Sequence, residues 1–225
     1  MQAGDLDALM GRLRDALTDL GPMPLAPDVS ARLIRDLAEA HPDLPPGLIC
    51  SVVRDLESAA KPAMVSVFGP GAEGFARGRF GYRARSAVVA DARSALASVR
   101  AGARAVVAIE PRDPWWARLL AEPGLSIIDD DISGDAAKPR LFVIARQWSE
   151  PSGDDRTWWL SDAPGKPWEI EEALTHIGLS GRHAISVGGV GLYRLDGYIQ
   201  RDDARLSQAP GRLAGVIGCV PVVPR

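Results

Sequence analysis

At residue 63 the hydrophobic period of this chain changes from helical to strand-like, and no other feature limits its fold as much. Upstream, Leu6, Leu9, Leu13, Leu17 and Leu20 recur at spacings of three and four, which puts them on one helix face. Asp5 suits the N-cap of that helix, and Gly21 followed by Pro22 suits its stop. A second helix is expected from Asp28, with Val29, Leu33, Ile34 and Leu37 on its apolar side and His41-Pro42 at its end. A third opens at Pro45 and Pro46, carries Leu48, Ile49, Val52, Val53 and Leu56, and closes at Lys61-Pro62. Two short helices and one longer one bury little by themselves, so residues 1–62 should pack on another unit or dimerise.

Beyond residue 63 strands alternate with helices. Apolar, β-rich runs fall at 63–68, 86–89, 104–109, 126–129 and 141–145. Between them lie a short helix at 75–80 and one after Asp91 that turns Ala95, Leu96 and Val99 inward. A third is expected at 111–120, with Asp113 as N-cap and Pro114 at its first position. This alternation predicts βαβ units and a mainly parallel sheet, with 65–68 and 105–109 among its central strands. Those two runs are near-continuously apolar, as strands covered on both faces must be. Residues 149–156 read as a polar linker. After it, strand 156–160, turn 162–167, helix 168–177 and strands 183–187 and 191–198 follow the β-α-β-β order of ferredoxin-like modules. The expected fold class is therefore α/β: a helical segment at 1–62, one small αβ lobe with a mainly parallel sheet at 63–148, and a ferredoxin-like module with a tail at 149–225.

Charge and cysteine usage exclude several classes. With 26 Lys and Arg against 29 Asp and Glu, the net charge is -3, the wrong sign for a protein that grips nucleic acid backbone. No apolar run approaches the roughly 20 residues that span a bilayer, so no membrane partner is expected. The acidic, amphipathic start Met1 to Met10 lacks the pattern of a secretory signal. Cys50 and Cys219 make neither a disulfide framework nor a zinc set, which fits a cytoplasmic protein with reduced thiols. Lys61, Lys138 and Lys166 are the only lysines; an Arg- and Ala-rich composition is what a GC-rich genome writes.

Three stretches carry a resemblance when taken in order. Arg32-Leu33-Ile34-Arg35-Asp36-Leu37 and the helix at 48–57 are similar to the last two helices of an all-helical chorismate mutase. Val65-Ser66-Val67-Phe68-Gly69-Pro70-Gly71-Ala72-Glu73-Gly74 resembles the strand and Gly-Pro loop that open a prephenate dehydratase domain. Asp155-Arg156-Thr157-Trp158-Trp159-Leu160-Ser161-Asp162 resembles the start of its ACT-type regulatory module. The chain thus resembles a shortened chorismate mutase/prephenate dehydratase, the bifunctional family of phenylalanine biosynthesis. Through the segments at 115–123 and 209–218 it resembles a group of alphaproteobacterial chorismate mutase-like proteins.

That resemblance implies a mutase site built from Arg12, Arg14, Arg32 and Arg35, completed across a homodimer. It implies a substrate loop at Gly69, Gly71, Glu73 and Gly74, and a regulatory ligand at Asp162 and Gly165. No cofactor and no metal are implied, and the partner is a small-molecule carboxylate. The departures are equally specific. The Arg-Glu pair that opens the second mutase helix corresponds here to Ser30-Ala31, and Ser58-Ala59-Ala60-Lys61-Pro62 replaces the late Gln. The second dehydratase lobe and its Thr-Arg-Asp-Phe segment are missing. The expectation is a divergent chorismate mutase-like protein with a degraded site, or a non-catalytic ligand-sensing or partner-binding protein of the same pathway.

Other residues read as structure. Of Trp115 and Trp116, one is expected in the core and one over a neighbour. Trp158 and Trp159 alternate in a strand, and the outward one is a candidate interface residue. Asp129-Asp130-Asp131 reads as a solvated loop whose carboxylates diverge. His41, His176 and His183 have no Asp or Cys partner at useful spacing, so no metal or catalytic role is expected for them.

Overall fold

The computed structural model describes Gly11 and residues 25–132 and 138–223. The first expected helix, Arg12 and Arg14 lie outside the described residues. Helices α1 (Pro27–Ala40) and α2 (Pro46–Ala60) each open on a proline, whose missing N–H is no loss in a first turn. They meet through Ile34, Ile49, Cys50 and Val53.

Among the described residues the strands form one nine-stranded sheet. In chain order they are β1 (Met64–Phe68), β2 (Arg85–Val88), β3 (Arg104–Ala108), β4 (Ser126–Asp130), β5 (Leu141–Ala145), β6 (Asp155–Ser161), β7 (Gly181–Val187), β8 (Val190–Asp196) and β9 (Ala214–Pro221). Their order across the sheet is β2-β1-β3-β5-β4-β9-β6-β8-β7. Helix α3 (Ala72–Phe80) follows β1, α4 (Ala92–Arg100) follows β2, and α5 (Pro167–His176) follows β6. Asp91 caps α4, its carboxylate accepting from the Ser94 N–H at 2.7 Å.

The expected mainly parallel sheet is corrected to a mixed one. β1 pairs in parallel with β2 and β3, but β5 runs antiparallel to both β3 and β4. The apolar runs demanded burial on both faces, which any central strand satisfies whichever way it runs. Direction is decided by the insertion of β5 between β3 and β4. Strands β6, β8 and β7 are antiparallel to their neighbours throughout.

One face of the sheet carries a single core from end to end, joining Leu96, Trp115, Phe142, Ile144, Trp158, Leu192 and Ile217. The other face carries two: α3 packs Ala72, Ala76 and Phe80 on Val65, Val106 and Val143, and α5 packs Ile170 and Leu174 on Trp159 and Tyr193. Both Trp158 and Trp159 are therefore buried, and Trp159 is not an outward interface residue. Trp115 and Trp116 are both fully buried as well. The helix expected at 111–120 is a 3-10 helix, Trp115–Ala121, and Asp113 does not cap it. The Trp115 indole N–H donates to the Ala108 carbonyl at 2.9 Å, which pulls the chain onto the sheet directly after β3.

The seam that makes one sheet of two halves is β4 against β9. Its pairing centres on Ile127 opposite Gly218. A Cβ at Gly218 would lie 2.3 Å from the Ile127 carbonyl oxygen and 2.5 Å from its Cβ, so only glycine admits this approach. A buried polar tie crosses the same seam. Asp130 accepts from the Trp158 indole N–H at 3.1 Å and from the Ile132 N–H at 3.0 Å, with the Arg156 guanidinium 3.6 Å away. Burial, which outweighs the Arg156 charge, pushes the Asp130 carboxyl up to about 6 from an ordinary 3.8.

Two predictions follow from the seam. Gly218→Ala should destabilise the chain by roughly 1–3 kcal/mol through overpacking. Gly124→Ala, whose Cβ meets nothing within 4 Å, serves as the control. Urea unfolding reads both. The second concerns pH. A carboxyl whose pKa is raised by folding binds its proton more tightly in the native state, so its contribution falls as pH rises between the two values. Stability should drop by about 1 kcal/mol from pH 5 to pH 7 on account of Asp130. The drop should shrink in Asp130→Asn, and an undiminished drop in that variant would assign it to other groups.

Candidate functional site

Strands β1, β3 and β4 all end at one edge of the sheet, and the chain leaves β1 there by a sharp turn. Gly69 has φ +90° and Gly71 φ +78°, both in the left-handed region that suits glycine. A Cβ on Gly69 would lie 2.3 Å from the Ala108 Cβ, so the turn crosses close over the end of β3. Gly71 is the N-cap of α3, whose N-terminal N–H groups and positive dipole end open beside the turn.

A cleft of about 640 Å³ occupies this edge, between the turn and the ends of β3, β4 and β5. Pro70, Gly71 and Phe75 form one wall, Ala108 and Ile109 the floor, and Asp131 and Arg140 the other wall. Asp131 accepts from the Arg140 and Leu141 N–H groups at 2.7 and 3.0 Å, and its second oxygen accepts from Arg140 Nε at 3.1 Å. The Asp131 side chain is 8% exposed and that of Arg140 88%. A buried carboxylate thus anchors a guanidinium at its Nε and leaves the outer nitrogens in solvent. An aromatic ring, a helix N-terminus and a fixed guanidinium around one cleft suit a small ring-bearing carboxylate.

Among the described residues the structure does not bring the candidate residues of the sequence together. Gly69 and Gly71 shape the cleft. Glu73 instead pairs with Arg77 at 3.0 Å on the exposed side of α3, and a Cβ on Gly74 would meet nothing within 4 Å. Arg32 donates to the Pro151 carbonyl and to Asp28, both at 2.8 Å. Arg35 donates to the carbonyls of Val222, at 2.6 Å, and of Ser152. These arginines fasten α1 to residues 151–152 and to the chain end of β9. Asp162 accepts from the Arg212 and Leu213 N–H groups at 2.7 and 2.9 Å, which seats the incoming strand β9. Gly165, at φ +122°, faces the Glu169 carboxylate, which accepts from the Lys166 N–H at 2.8 Å at the start of α5.

Phe75, Asp131 and Arg140 were not legible as site residues. The Asp131–Arg140 pairing arises because β4 and β5 are neighbours, and no local spacing announces it. The solvated loop expected at 129–131 is also corrected: Asp129 and Asp130 are buried in β4. The three carboxylates do diverge, to Arg79, to Trp158 and Arg156, and to Arg140. Around Arg79 lies a buried ionic cluster. Burial raises the Glu57 carboxyl pKa, against the opposing charges of Arg79 and Arg104. Burial and the neighbouring Arg79 bring Arg104 down to about 10.

His183 has a partner that the sequence did not disclose. A bulge between His183 and Ile185 brings the His183 Nε2 to 2.8 Å from the Ser186 hydroxyl, with the Tyr193 ring alongside at 5.4 Å. Burial holds the imidazole below its usual pKa. Among the described residues no group of His, Cys, Asp and Glu could hold a metal ion, and no helix is long and apolar enough to cross a membrane.

No family model matches the chain, and no curated protein matches it. Solved structures do. One is described as GqqA, a novel type of quorum quenching acylase, with a TM-score of 0.50 and 19% identity over 72% of this chain and 96% of that one. The prephenate dehydratase from Streptococcus mutans gives a TM-score of 0.44 and 12% identity over 72% of this chain and 99% of that one. A prephenate dehydratase from Arthrobacter aurescens in complex with L-Phe gives 0.42 and 15%, over 72% and 93%. At these identities the likeness is one of fold.

The hydrogen bonds of Arg35 predict a structural part for it. Arg35→Ala should cost about 2 kcal/mol, the worth of charged donors lost from two carbonyls. Urea unfolding checks this, with Arg77→Ala on the exposed face of α3 expected within about 0.5 kcal/mol of wild type.

Proposed function

We propose that this chain is a divergent chorismate mutase-like protein of aromatic amino-acid biosynthesis that has lost mutase chemistry. In this reading it acts as a non-catalytic ligand-sensing protein, and its ligand is a small ring-bearing carboxylate held in the cleft beside Gly69 and Gly71. The observation that carries the reading is the convergence there of Phe75, the N-terminus of α3 and the Arg140 guanidinium set by Asp131. The ring lies against Phe75 and Ile109, where apolar area leaves water. The carboxylate takes the outer nitrogens of Arg140 and the N–H groups that open α3. Asp131 holds the guanidinium in place before the ligand arrives, which lowers the entropy lost on binding.

The loss of mutase chemistry rests on donors. A pericyclic rearrangement of a dianion is accelerated only by shaping the substrate and by placed charge, and each missing donor costs roughly 10²–10³ in rate. Ser30-Ala31 stand where the family has its Arg-Glu pair, and Arg32 and Arg35 are spent on Asp28 and on main-chain carbonyls. A homodimer in the cytoplasm belongs to the same reading; two buried cysteines that form no disulfide suit the compartment.

Calorimetric titration with chorismate, prephenate and L-phenylalanine tests the reading, together with the near-ultraviolet absorbance of chorismate. At least one of the three should bind, and Arg140→Gln should weaken it about tenfold or more, the worth of one charged hydrogen bond. Chorismate absorbance should decay at the uncatalysed rate. Decay accelerated by the protein and abolished by Arg32→Ala would restore the mutase assignment. Binding indifferent to Arg140→Gln would remove the ligand from this cleft.

A further inference from the structure

The opposite edge of the sheet carries a second cleft, of about 320 Å³, where β1 and β3 begin and β5 ends. Three cations line it: Lys61 at the end of α2, Arg104 at the start of β3 and Arg146 just past β5. Among the described residues no carboxylate lines it. That is a local excess of positive charge in a chain whose net charge is -3.

The state of Arg104 gives this excess a chemical meaning. Its guanidinium lies over the Phe80 ring at 5.2 Å and makes no hydrogen bond to any described residue. A guanidinium offers five N–H donors, and none of the Arg104 nitrogens is both fully buried and without a partner, so they remain open to an acceptor from the cleft side. Beside it on the inner side are Arg79, which repels it, and Glu57, which attracts it. Arg79 is already paired with Asp129, and burial raises the Glu57 carboxyl pKa. Arg104 is thus the member of this cluster that lines the cleft. Arg146 spends Nη1 on the Arg100 carbonyl at 3.2 Å, and Lys61 makes no ion pair with a described residue.

We propose that this cleft is an anion site that takes the phosphate group of a small molecule, held by Arg104, Arg146 and Lys61. The bidentate fork of an inward guanidinium and two flexible cations at the rim fit a compact, multiply charged oxyanion. The volume admits a pyrophosphate-sized ligand and not a polymer track, which would need a groove lined with aromatic stacking platforms. This site stands apart from the Phe75–Arg140 cleft, and neither depends on the other.

Calorimetric titration of the full chain with pyrophosphate, with succinate as a carboxylate comparison, tests the proposal. Pyrophosphate should bind at submillimolar concentration and more weakly as salt rises. Lys61→Ala and Arg146→Ala, both at exposed positions, should each weaken it several-fold, and the double variant at least about tenfold. Arg104→Gln should abolish it, with circular dichroism confirming that the variant is folded. Absence of pyrophosphate binding, or equal binding by wild type and the Lys61→Ala/Arg146→Ala variant, would overturn the site. Succinate binding as tightly as pyrophosphate would overturn the assignment to phosphate.

Discussion

The structure depends on the close approach of Gly218 to Ile127. Strand β9 is the last in the chain, yet it lies in the middle of the sheet, parallel to β4 on one side and antiparallel to β6 on the other. Without it the strands β2-β1-β3-β5-β4 and β6-β8-β7 have no shared edge. With it, one face of the sheet becomes a continuous apolar layer in which Trp115, Phe142 and Trp158 stack edge to face at 6.2 and 4.9 Å. The Asp130–Trp158 hydrogen bond also spans the seam.

Several charged groups serve as fasteners. Arg35 and Arg32 tie α1 to residues 151–152 and to Val222, so the helices sit on the sheet beside β9. Arg79 ties α3 to Asp129 of β4. Asp162 and Ser161 hold the returning tail through Arg212, Leu213 and the Pro210 carbonyl. Arg32, Arg35 and Asp162 are here bonded to the chain itself. Two clefts at opposite edges are lined by cations, Arg140 at one and Arg104, Arg146 and Lys61 at the other.

Much of the element order was legible because periodicity and punctuation are local. Pro46 starts its helix, Asp91 caps α4, and Gly69 and Gly71 turn the chain after β1. The misreadings share a cause. Parallel and antiparallel central strands have the same apolar composition, so the direction of β5 was hidden. Trp159 alternates to the other face as expected, but that face is covered by α5, which alternation cannot report. Asp129 and Asp130 read as solvated because their partners, Arg79 and Trp158, are far away in the chain.

By itself, the sequence determined the order of most helices and strands among the described residues, the apolar runs that are buried, and the glycine turn after β1. Those properties depend on the spacing of neighbours and on backbone sterics. Only the tertiary structure decided that β9 joins two halves into one sheet, that Arg32 and Arg35 are fasteners, and that Phe75 shares a cleft with Arg140. These are pairings between residues distant in the chain, and a pairing exists only once strand order has set which groups meet.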